Sequence, residues 1–357
     1  MKRSRTLTRS VAAAALVLPL SVVAVAAPTA AATTVLAADR GPYPGGLATP
    51  ALQQLNTSDA TATQSSGIVE ITTTLGYGEG EAAGSGMVIG GDGLVVTNHH
   101  VVEGATDITV TDVATGKQYA ADVLGYDATK DVAVLQLVDA SGLATVRTAS
   151  GGVDVGDTVT AVGDAGGDGG GLTAAPGTVL DAHHAITVQD EETGAAVPLR
   201  NLIEVSSDVV PGDSGGALLD ADGEVVGMSV AASSGSADVT GYVIPIGRVL
   251  RVAEAIEAGE ASGSVVIGGR AFLGVSLAAQ DPAPTLAGVV EGGPAQQRGL
   301  AAGDTVTALG GAAVGTADGL RTAVAAHEPG DRVSVAWTDT DGTAHTGSVT
   351  LVDGPVG

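Results

Sequence analysis

One serine lies between glycines in an otherwise apolar stretch, VVPGDSGGALL, at Val209–Leu219. A serine hydroxyl is a weak nucleophile unless an imidazole removes its proton and an acid orients that imidazole. Both kinds of residue precede Ser214 in the chain. His99 and His100 stand in the run LVVTNHHVV, and Asp131 begins the run DVAVLQL. These residue types predict nucleophilic catalysis by Ser214.

The residues around the serine suit an oxyanion hole. Gly212 can bring its N–H next to that of Ser214, with Asp213 between them, so that two donors point at the negative oxygen of a tetrahedral intermediate. Gly215 and Gly216 allow close approach of the backbone where a side chain would block it. The alternative is a tight glycine turn between two strands. The order His, Asp, Ser, which is that of chymotrypsin-type β-barrel enzymes, favours catalysis.

Composition determines the kind of core that can position these residues. The 357 residues are enough for two domains. They are 44% hydrophobic but only 2% aromatic, so Val, Ile, Leu and Ala supply the core. Together with 54 glycines, this favours short strands joined by turns. The chain has no cysteine, which excludes disulfides, thiol catalysis and thiolate metal sites.

Charge argues against a nucleic-acid partner. The chain has 15 basic and 40 acidic residues, a net charge of -25. Its first 32 residues hold four of the basic residues and no acid, so residues 33–357 carry 11 minus 40, or -29. Such a surplus repels phosphate backbones and anionic membranes.

The N-terminal residues 1–32 are typical of a signal peptide. Four basic residues precede an uncharged stretch over 10–38, with AVA and AAA as small-residue cleavage sites. We therefore expect a secreted or cell-envelope protein. The uncharged stretch also exceeds the ~20 apolar residues that cross a bilayer, so a retained membrane anchor is the alternative. Residues 33–65, rich in Thr, Ser and Ala, predict a linker or pro-segment.

Residues 66–260 are predicted to form a β domain. Short β-branched runs alternate with turn residues, and Asp92-Gly93 between two apolar runs predicts a hairpin. Helical spacing over 248–260 predicts a helix that closes the domain. Residues 261–269 lack bulky side chains and predict a linker. Residues 270–357 then predict an α+β module, with a helix in TADGLRTAVAAH followed by two strands.

These motifs together resemble the trypsin-like serine peptidases, and among them the HtrA/Deg family, whose members join such a domain to PDZ modules. GSGMVIGGDGLVVTNHHVV resembles the family's histidine motif, DVAVLQL its aspartate strand, and PGDSGGALLDADGEVVGM its serine motif. The resemblance implies a mainly β fold. We expect a chymotrypsin-like double β-barrel with six strands in each barrel, the active site between them, and a following α+β PDZ domain.

The resemblance also implies roles for individual residues. His100, which Val follows, matches the general base, Asp131 the orienting acid, and Ser214 the nucleophile. His99 stands where asparagine is usual, so it is expected to be a neighbour of the base. Asp127, four residues before Asp131, is expected to be a turn residue.

Two acidic residues near Ser214, Asp213 and Asp208, differ from the usual family pattern. Many members have Asn where this chain has Asp213. Trypsin has Asp there and pairs it with a newly cut N-terminus, yet no such activation sequence is evident here. Asp208 stands six residues before Ser214, the spacing of the acid in trypsin's specificity pocket, which would favour cationic substrates. HtrA relatives generally cleave beside small aliphatic residues, so a surface position for Asp208 is the alternative.

The second module resembles a PDZ domain through the segment FLGV. Phe272, Leu273, Gly274 and Val275 match the loop whose backbone N–H groups hold a peptide carboxylate, and the strand that follows can accept an added peptide strand. The alternative is a PDZ fold that only packs on the protease.

The resemblance implies an exported serine endopeptidase that hydrolyses unfolded or damaged proteins through an acyl-enzyme, with the PDZ domain recruiting peptide segments. The alternative is a catalytically weak or inactive PDZ-containing binding or holdase protein of the cell envelope. Partners are protein or peptide substrates. Family members often form trimers through N-terminal aromatics, whereas this chain has only Tyr43 before Ser66, so a homo-oligomer stays an open alternative.

No cofactor or metal is expected from the sequence. His183 and His184 are adjacent, but no carboxylate or third histidine has a recognisable ligand spacing, so exposed strand residues are expected. The glycine-rich segment over 163–171 lacks the Lys and Ser or Thr of a phosphate-binding loop, and it predicts a mobile loop near the active site.

Overall fold

The computed structural model describes residues 55–78, 80–167, 169–189, 196–232, 240–261, 263–278 and 281–357. The predicted signal peptide lies outside the described residues, as do residues 33–54 of the predicted linker or pro-segment. Within the described ranges, no helix combines the length and the apolar character that a membrane crossing requires.

The first half of the fold is a closed barrel. It follows a short strand, β1 (Ser58–Asp59), and its own elements are β2 (Ile68–Leu75), β3 (Gly80–Gly90), β4 (Leu94–Thr97), α1 (His99–Val102), β5 (Ala105–Asp112), β6 (Lys117–Asp127) and β7 (Val132–Leu137). The sheet order is β6-β5-β2-β3-β4-β7, and β7 pairs with β6, so six strands close the ring. Closure leaves no unpaired edge among these strands.

A second barrel follows. Its elements are β8 (Thr158–Gly163), β9 (Thr173–Gln189), β10 (Ala196–Val205), β11 (Ala217–Leu219), β12 (Val225–Ala232), β13 (Gly241–Pro245) and α2 (Ile246–Glu257). The order β9-β10-β13-β12-β11-β8 closes through a pairing of β8 with β9, and β1 adds to the outside of β9. The expected double barrel is therefore confirmed.

Two local predictions in the barrels are also confirmed. The turn between β3 and β4 closes through a hydrogen bond of 3.0 Å from Gly93 N to Gly90 O, and Gly93 has φ +102, which glycine tolerates best. The predicted helix over 248–260 corresponds to α2, which begins two residues earlier and ends before Gly259, where φ is +67.

The barrels are held by aliphatic side chains. One cluster fills the first barrel and a second fills the other barrel. A third cluster lies between the barrels and includes Met87 and Val134 from the first, and Leu202 and Ile244 from the second. The buried face of α2 joins this third cluster with Ile246, Val249, Val252, Ala253 and Ile256. The third cluster therefore fixes the two barrels against each other.

The segment over 261–269, predicted as a linker, includes a strand. Three β-branched residues form β14 (Val265–Ile267), which pairs antiparallel with β6 and so extends the first sheet. The connection between the barrels and the last module is therefore attached to the first barrel.

The last module has its own aliphatic core around Trp337. Its elements are β15 (Ala271–Phe272), β16 (Val275–Leu277), β17 (Leu286–Val289), α3 (Pro294–Arg298), β18 (Thr305–Leu309), β19 (Ala312–Ala313), α4 (Ala317–Ala325), β20 (Arg332–Thr338), β21 (Ala344–Thr350) and β22 (Val352–Asp353). The predicted helix is α4, whose N-cap Thr316 accepts a hydrogen bond from Gly319 N at 3.0 Å. The predicted strand pair is β20 and β21, so the α+β expectation is confirmed.

Candidate active site

His100 and Asp131 are in direct contact in the first barrel. The imidazole Nδ1 lies 2.8 Å from Asp131 Oδ2, and His100 N donates to Asp131 Oδ1 at 3.0 Å. His100 lies on α1, directly after β4, whereas Asp131 directly precedes β7. Because β4 and β7 are neighbours in the sheet, their ends bring both residues together. The contact leaves Nε2 of His100 as the ring nitrogen that can serve a reacting group.

The surroundings of Asp131 favour its charged form. Burial alone would raise the pKa of this carboxyl, but the nearby His100 charge and two hydrogen bonds from His100 hold it below its ordinary value. The backbone is fixed as well, since Asn98 Nδ2 donates to Asp131 O at 3.0 Å. Asp131 adopts φ +55, a left-handed conformation that is costly for a residue with a side chain.

His99 has a different environment from His100. It is buried, and its ring stacks on that of Tyr126 with the centroids 4.5 Å apart. Asp127 ends β6 nearby and forms the expected turn, accepting hydrogen bonds from Lys130 N at 3.1 Å and Thr129 Oγ1 at 2.8 Å. Both residues therefore border the His100–Asp131 pair, and the His99 charge adds to the lowering of the Asp131 pKa.

Ser214, on a loop of the second barrel, lies against β3 of the first barrel. Ser85 N, on β3, donates to Ser214 O at 2.8 Å. A Cβ added at Gly84 would lie 2.8 Å from the Val101 methyl groups and 3.2 Å from Ser214 O. Gly84 therefore lies between the serine loop and the helix that carries His100, in a gap too narrow for a side chain.

The backbone around Ser214 presents two donors. Asp213, Gly215 and Gly216 each donate their N–H to a carbonyl, with N···O distances of 2.9 to 3.1 Å. By contrast, the N–H groups of Gly212 and Ser214 donate to no other residue in the described part of the chain. Gly212 adopts φ +98, a conformation that suits glycine. This is the donor pattern expected of an oxyanion hole.

The sequence left open the partner of Asp213, and the structure identifies one. Oδ2 of this buried carboxyl accepts a hydrogen bond of 2.9 Å from Val210 N, within the same loop. Burial and the nearby Asp164 charge raise the pKa of Asp213 to about 7, although the Val210 bond lowers it. The carboxyl is therefore mostly protonated below about pH 7.

Asp208 is half-buried, and its carboxylate already has a partner. Oδ2 accepts a hydrogen bond of 2.6 Å from Asn56 N, which precedes β1. The next residue, Val209, is buried against Gly241, where an added Cβ would lie 2.6 Å from Val209 Cγ2.

The four PDZ loop residues lie together between β15 and β16. Phe272 pairs with Val352, and its ring stacks on that of Tyr77 in the first barrel at 5.7 Å. Leu273 is buried, Gly274 has φ +79, and Val275 begins β16. In the described part of the chain, the N–H groups of Leu273 and Gly274 donate to no other residue.

Two family models match the chain. One is described as a trypsin-like peptidase domain and matches residues 84–228, and the other is described as a PDZ domain and matches residues 271–346. The first range contains His100, Asp131 and Ser214, and the second contains the loop from Phe272 to Val275.

Named relatives carry the same kind of domain. The chain is 35% identical over 152 residues to a probable serine protease do-like of Buchnera aphidicola subsp. Acyrthosiphon pisum, covering 42% of this chain and 30% of that protein. It is 33% identical over 152 residues to the periplasmic serine endoprotease DegP of Escherichia coli, again covering 42% and 30%. The chain thus spans about 30% of the length of these relatives.

The chain thus joins a trypsin-like peptidase domain to a PDZ domain, and it is similar to proteins named as DegP and HtrA-type serine proteases. Among solved structures, it is similar to the active form of the Rv3671c protease from M. tuberculosis, with 27% identity, a TM-score of 0.47, and coverage of 66% of this chain and 92% of that one. It is also similar to the HtrA-type protease AlgW with tripeptide, with 26% identity, a TM-score of 0.47, and coverage of 82% and 96%.

Sequence reasoning missed Ser85. This residue is completely buried, and its hydroxyl donates to Gly212 O at 2.9 Å while accepting from Asp164 N at 2.9 Å. Its carbonyl accepts from Thr97 Oγ1 at 2.7 Å. Ser85 stands between two glycines in GSG, which reads as a turn, so only the register of β3 against the serine loop reveals its role.

The glycine-rich loop and the histidine pair also have defined surroundings. Gly166 N donates to Pro211 O at 2.7 Å, so residues 163–167 lie against the serine loop, as expected for this part of the glycine-rich segment. His183 is exposed, as expected of a strand residue. The expectation for His184 was wrong, because this residue is half-buried and contacts two carboxylates, those of Asp181 and Glu204.

Asp213 makes folding stability depend on pH. Its folded-state pKa of about 7 lies above the ordinary value of 3.8, so the unfolded chain loses this proton first as the pH rises. Its contribution to stability is therefore greatest below about pH 4, falls between about pH 4 and 7, and levels off above that range. Relative to Asp213→Asn, the wild type should lose a few kcal/mol of unfolding free energy across this range in urea denaturation.

The matched control for this comparison is Asp318→Asn, since the Asp318 side chain is 91% exposed. The difference in unfolding free energy between Asp318→Asn and the wild type, measured by urea denaturation, should be the same at pH 4, 6 and 8. A constant difference between wild type and Asp213→Asn at all three pH values would contradict the assignment.

Replacing Ser85 should disturb the serine loop. Ser85→Ala leaves the buried Gly212 O and Asp164 N without the hydroxyl that they share, and such a loss costs about 1–3 kcal/mol of unfolding free energy. We expect this loss in urea denaturation, together with a lower kcat for any ester or peptide hydrolysis. Ser334→Ala, at an exposed position on β20, is the control and should stay within about 0.5 kcal/mol of the wild type. Equal stability and kcat for both variants would refute a positioning role.

Proposed function

We propose that this chain is a serine endopeptidase that works through an acyl-enzyme. The observation that carries the proposal is the His100–Asp131 contact together with a serine loop in which Gly212 N and Ser214 N donate to no acceptor among the described residues. A charged, buried acid, an oriented imidazole and a free oxyanion hole are what a serine nucleophile requires.

The proposed reaction begins with attack of Ser214 Oγ on the carbonyl carbon of the substrate, while His100 Nε2 takes the hydroxyl proton. The negative oxygen accepts hydrogen bonds from Gly212 N and Ser214 N. Asp131 remains ionised and stabilises the imidazolium, which agrees with its lowered pKa. The proton then passes to the leaving amine, the C–N bond breaks, and water releases the acyl group by the same steps.

The PDZ loop supports a role in recruiting substrate. The unpaired N–H groups of Leu273 and Gly274 suit a peptide carboxylate, and β16 is paired only with β17 among the described strands. We propose protein substrates that expose chain ends, which unfolded or damaged proteins do. The name of the relative from Escherichia coli and the signal-peptide pattern support a location outside the cytoplasm.

The decisive test is hydrolysis of casein by the wild type and by Ser214→Ala. Removing the nucleophile should lower turnover by about 10³-fold or more. His100→Ala should lose activity similarly, whereas His183→Ala, at an exposed histidine, should retain it. Equal turnover by Ser214→Ala would refute the assignment of the nucleophile, and a wild type that binds casein without cleaving it would favour the holdase alternative.

For primary specificity we propose a preference for small aliphatic side chains. The Asp208 carboxylate is already bound to Asn56 N, so it is a poor partner for a cationic side chain. Peptides with Val or Leu before the scissile bond should therefore have a higher kcat/KM than the Arg peptide. Asp208→Asn should leave the Val to Arg ratio within about threefold, which is below 1 kcal/mol. A preference for Arg that Asp208→Asn abolishes would place this acid in the specificity pocket instead.

A further inference from the structure

Three side chains outside the proposed active site converge between β9 and β10. His184 Nδ1 lies 2.9 Å from Glu204 Oε2 and 3.8 Å from Asp181 Oδ2. One ligand atom from each of the three residues lies within 4.8 Å of the other two. All three side chains are partly exposed, so the cluster is accessible from solvent.

A β-bulge creates this convergence. Residues three apart on a regular strand point to opposite faces of the sheet. Here His184 pairs with Leu202 and Asp181 pairs with Glu204, so three steps along β9 match two steps along β10. The extra residue on β9 turns Asp181 and His184 to the same face, where Glu204 meets them. The cluster is therefore a product of the irregular register and cannot be read from sequence spacing.

Neighbouring groups hold the three side chains in place. The His184 ring stacks on the ring of Tyr242, a buried residue of β13, with centroids 5.2 Å apart. Asp181 Oδ1 accepts a hydrogen bond of 2.8 Å from His183 N, which leaves Oδ2 directed at His184. Orientation of this kind by a second layer of contacts is typical of metal ligands.

The distances fit a small tetrahedral ion. Ligands bound at 2.0–2.2 Å to a tetrahedral zinc ion are about 3.4 Å apart. The two distances from His184 Nδ1, 2.9 and 3.8 Å, lie on either side of this value. One imidazole with two carboxylates suits zinc and similar transition metals, whereas calcium prefers oxygen ligands alone. The net charge of -25 adds general attraction for cations.

We propose that Asp181, His184 and Glu204 bind a divalent transition-metal ion of the zinc type, with water as the fourth ligand. The ion links β9 to β10 directly before the point where β10 ends at Val205 and the loop leading to Ser214 begins. The site does not depend on peptidase activity, so it can be tested in an inactive variant.

The experiment is calorimetric titration of zinc into the full chain carrying Ser214→Ala, which prevents self-digestion. We expect one saturable site with a Kd on the order of micromolar, and a thermal midpoint that rises with zinc because the ion binds only the folded chain. Adding His184→Asn or Glu204→Gln should weaken zinc binding at least tenfold. Adding His183→Asn, which changes the neighbouring exposed histidine, should leave it unchanged.

Other histidines also contact single carboxylates, so zinc binding by itself does not locate the site. The His184→Asn and Glu204→Gln variants are what assign it to this cluster. His345 contacts Asp339 and His327 contacts Asp331. Equal zinc affinity in Glu204→Gln and in its Ser214→Ala parent would place the ion elsewhere and overturn the proposal. Absence of saturable zinc binding by that parent would also overturn it, and would reduce the cluster to a His184–Glu204 ion pair. Circular dichroism of each variant verifies that lost binding is not lost folding.

Discussion

The hydrogen bonds of Ser85 hold the serine loop of one barrel against a strand of the other. The main chain of this residue donates to Ser214 O, and its hydroxyl donates to Gly212 O. Ser85, Gly212 and Asp213 are all buried, so water cannot replace a bond that is lost. Gly212, Ser214 and the His100 imidazole come from different barrels. Their mutual positions therefore depend on these few internal bonds.

This arrangement requires the backbone of the serine loop to lie very close to the backbone of β3. A Cβ at Gly215 would lie 2.0 Å from Ser85 O, so only glycine permits the contact at that position. The same applies at Gly84, between Val101 and the serine loop. A chain without cysteine and with 2% aromatic residues has no disulfides and few large rings to join its barrels. Dense aliphatic packing between the barrels, reinforced by α2, performs that task instead.

The sequence predicted correctly the features that depend on local spacing or on a family motif. The hairpin at Gly93, the helix α2 and the double barrel followed from turn residues, periodicity and family resemblance. The partner of Asp213 did not follow, because a hydrogen bond from Val210 N depends on the shape of a loop. The cluster around His184 did not follow either, because Glu204 is 20 residues away and meets it only through a bulge. Long-range register and loop geometry are thus what sequence spacing leaves undetermined.

The PDZ module is connected to the barrel that carries the imidazole and the acid. Strand β14 extends the first sheet, and Val356 N donates to Ala105 O at 3.1 Å, just beyond the helix of His100. The stacked rings of Phe272 and Tyr77 form a further contact. Phe272 also begins the loop whose N–H groups suit a peptide carboxylate, so a peptide held there sits beside a contact to the first barrel.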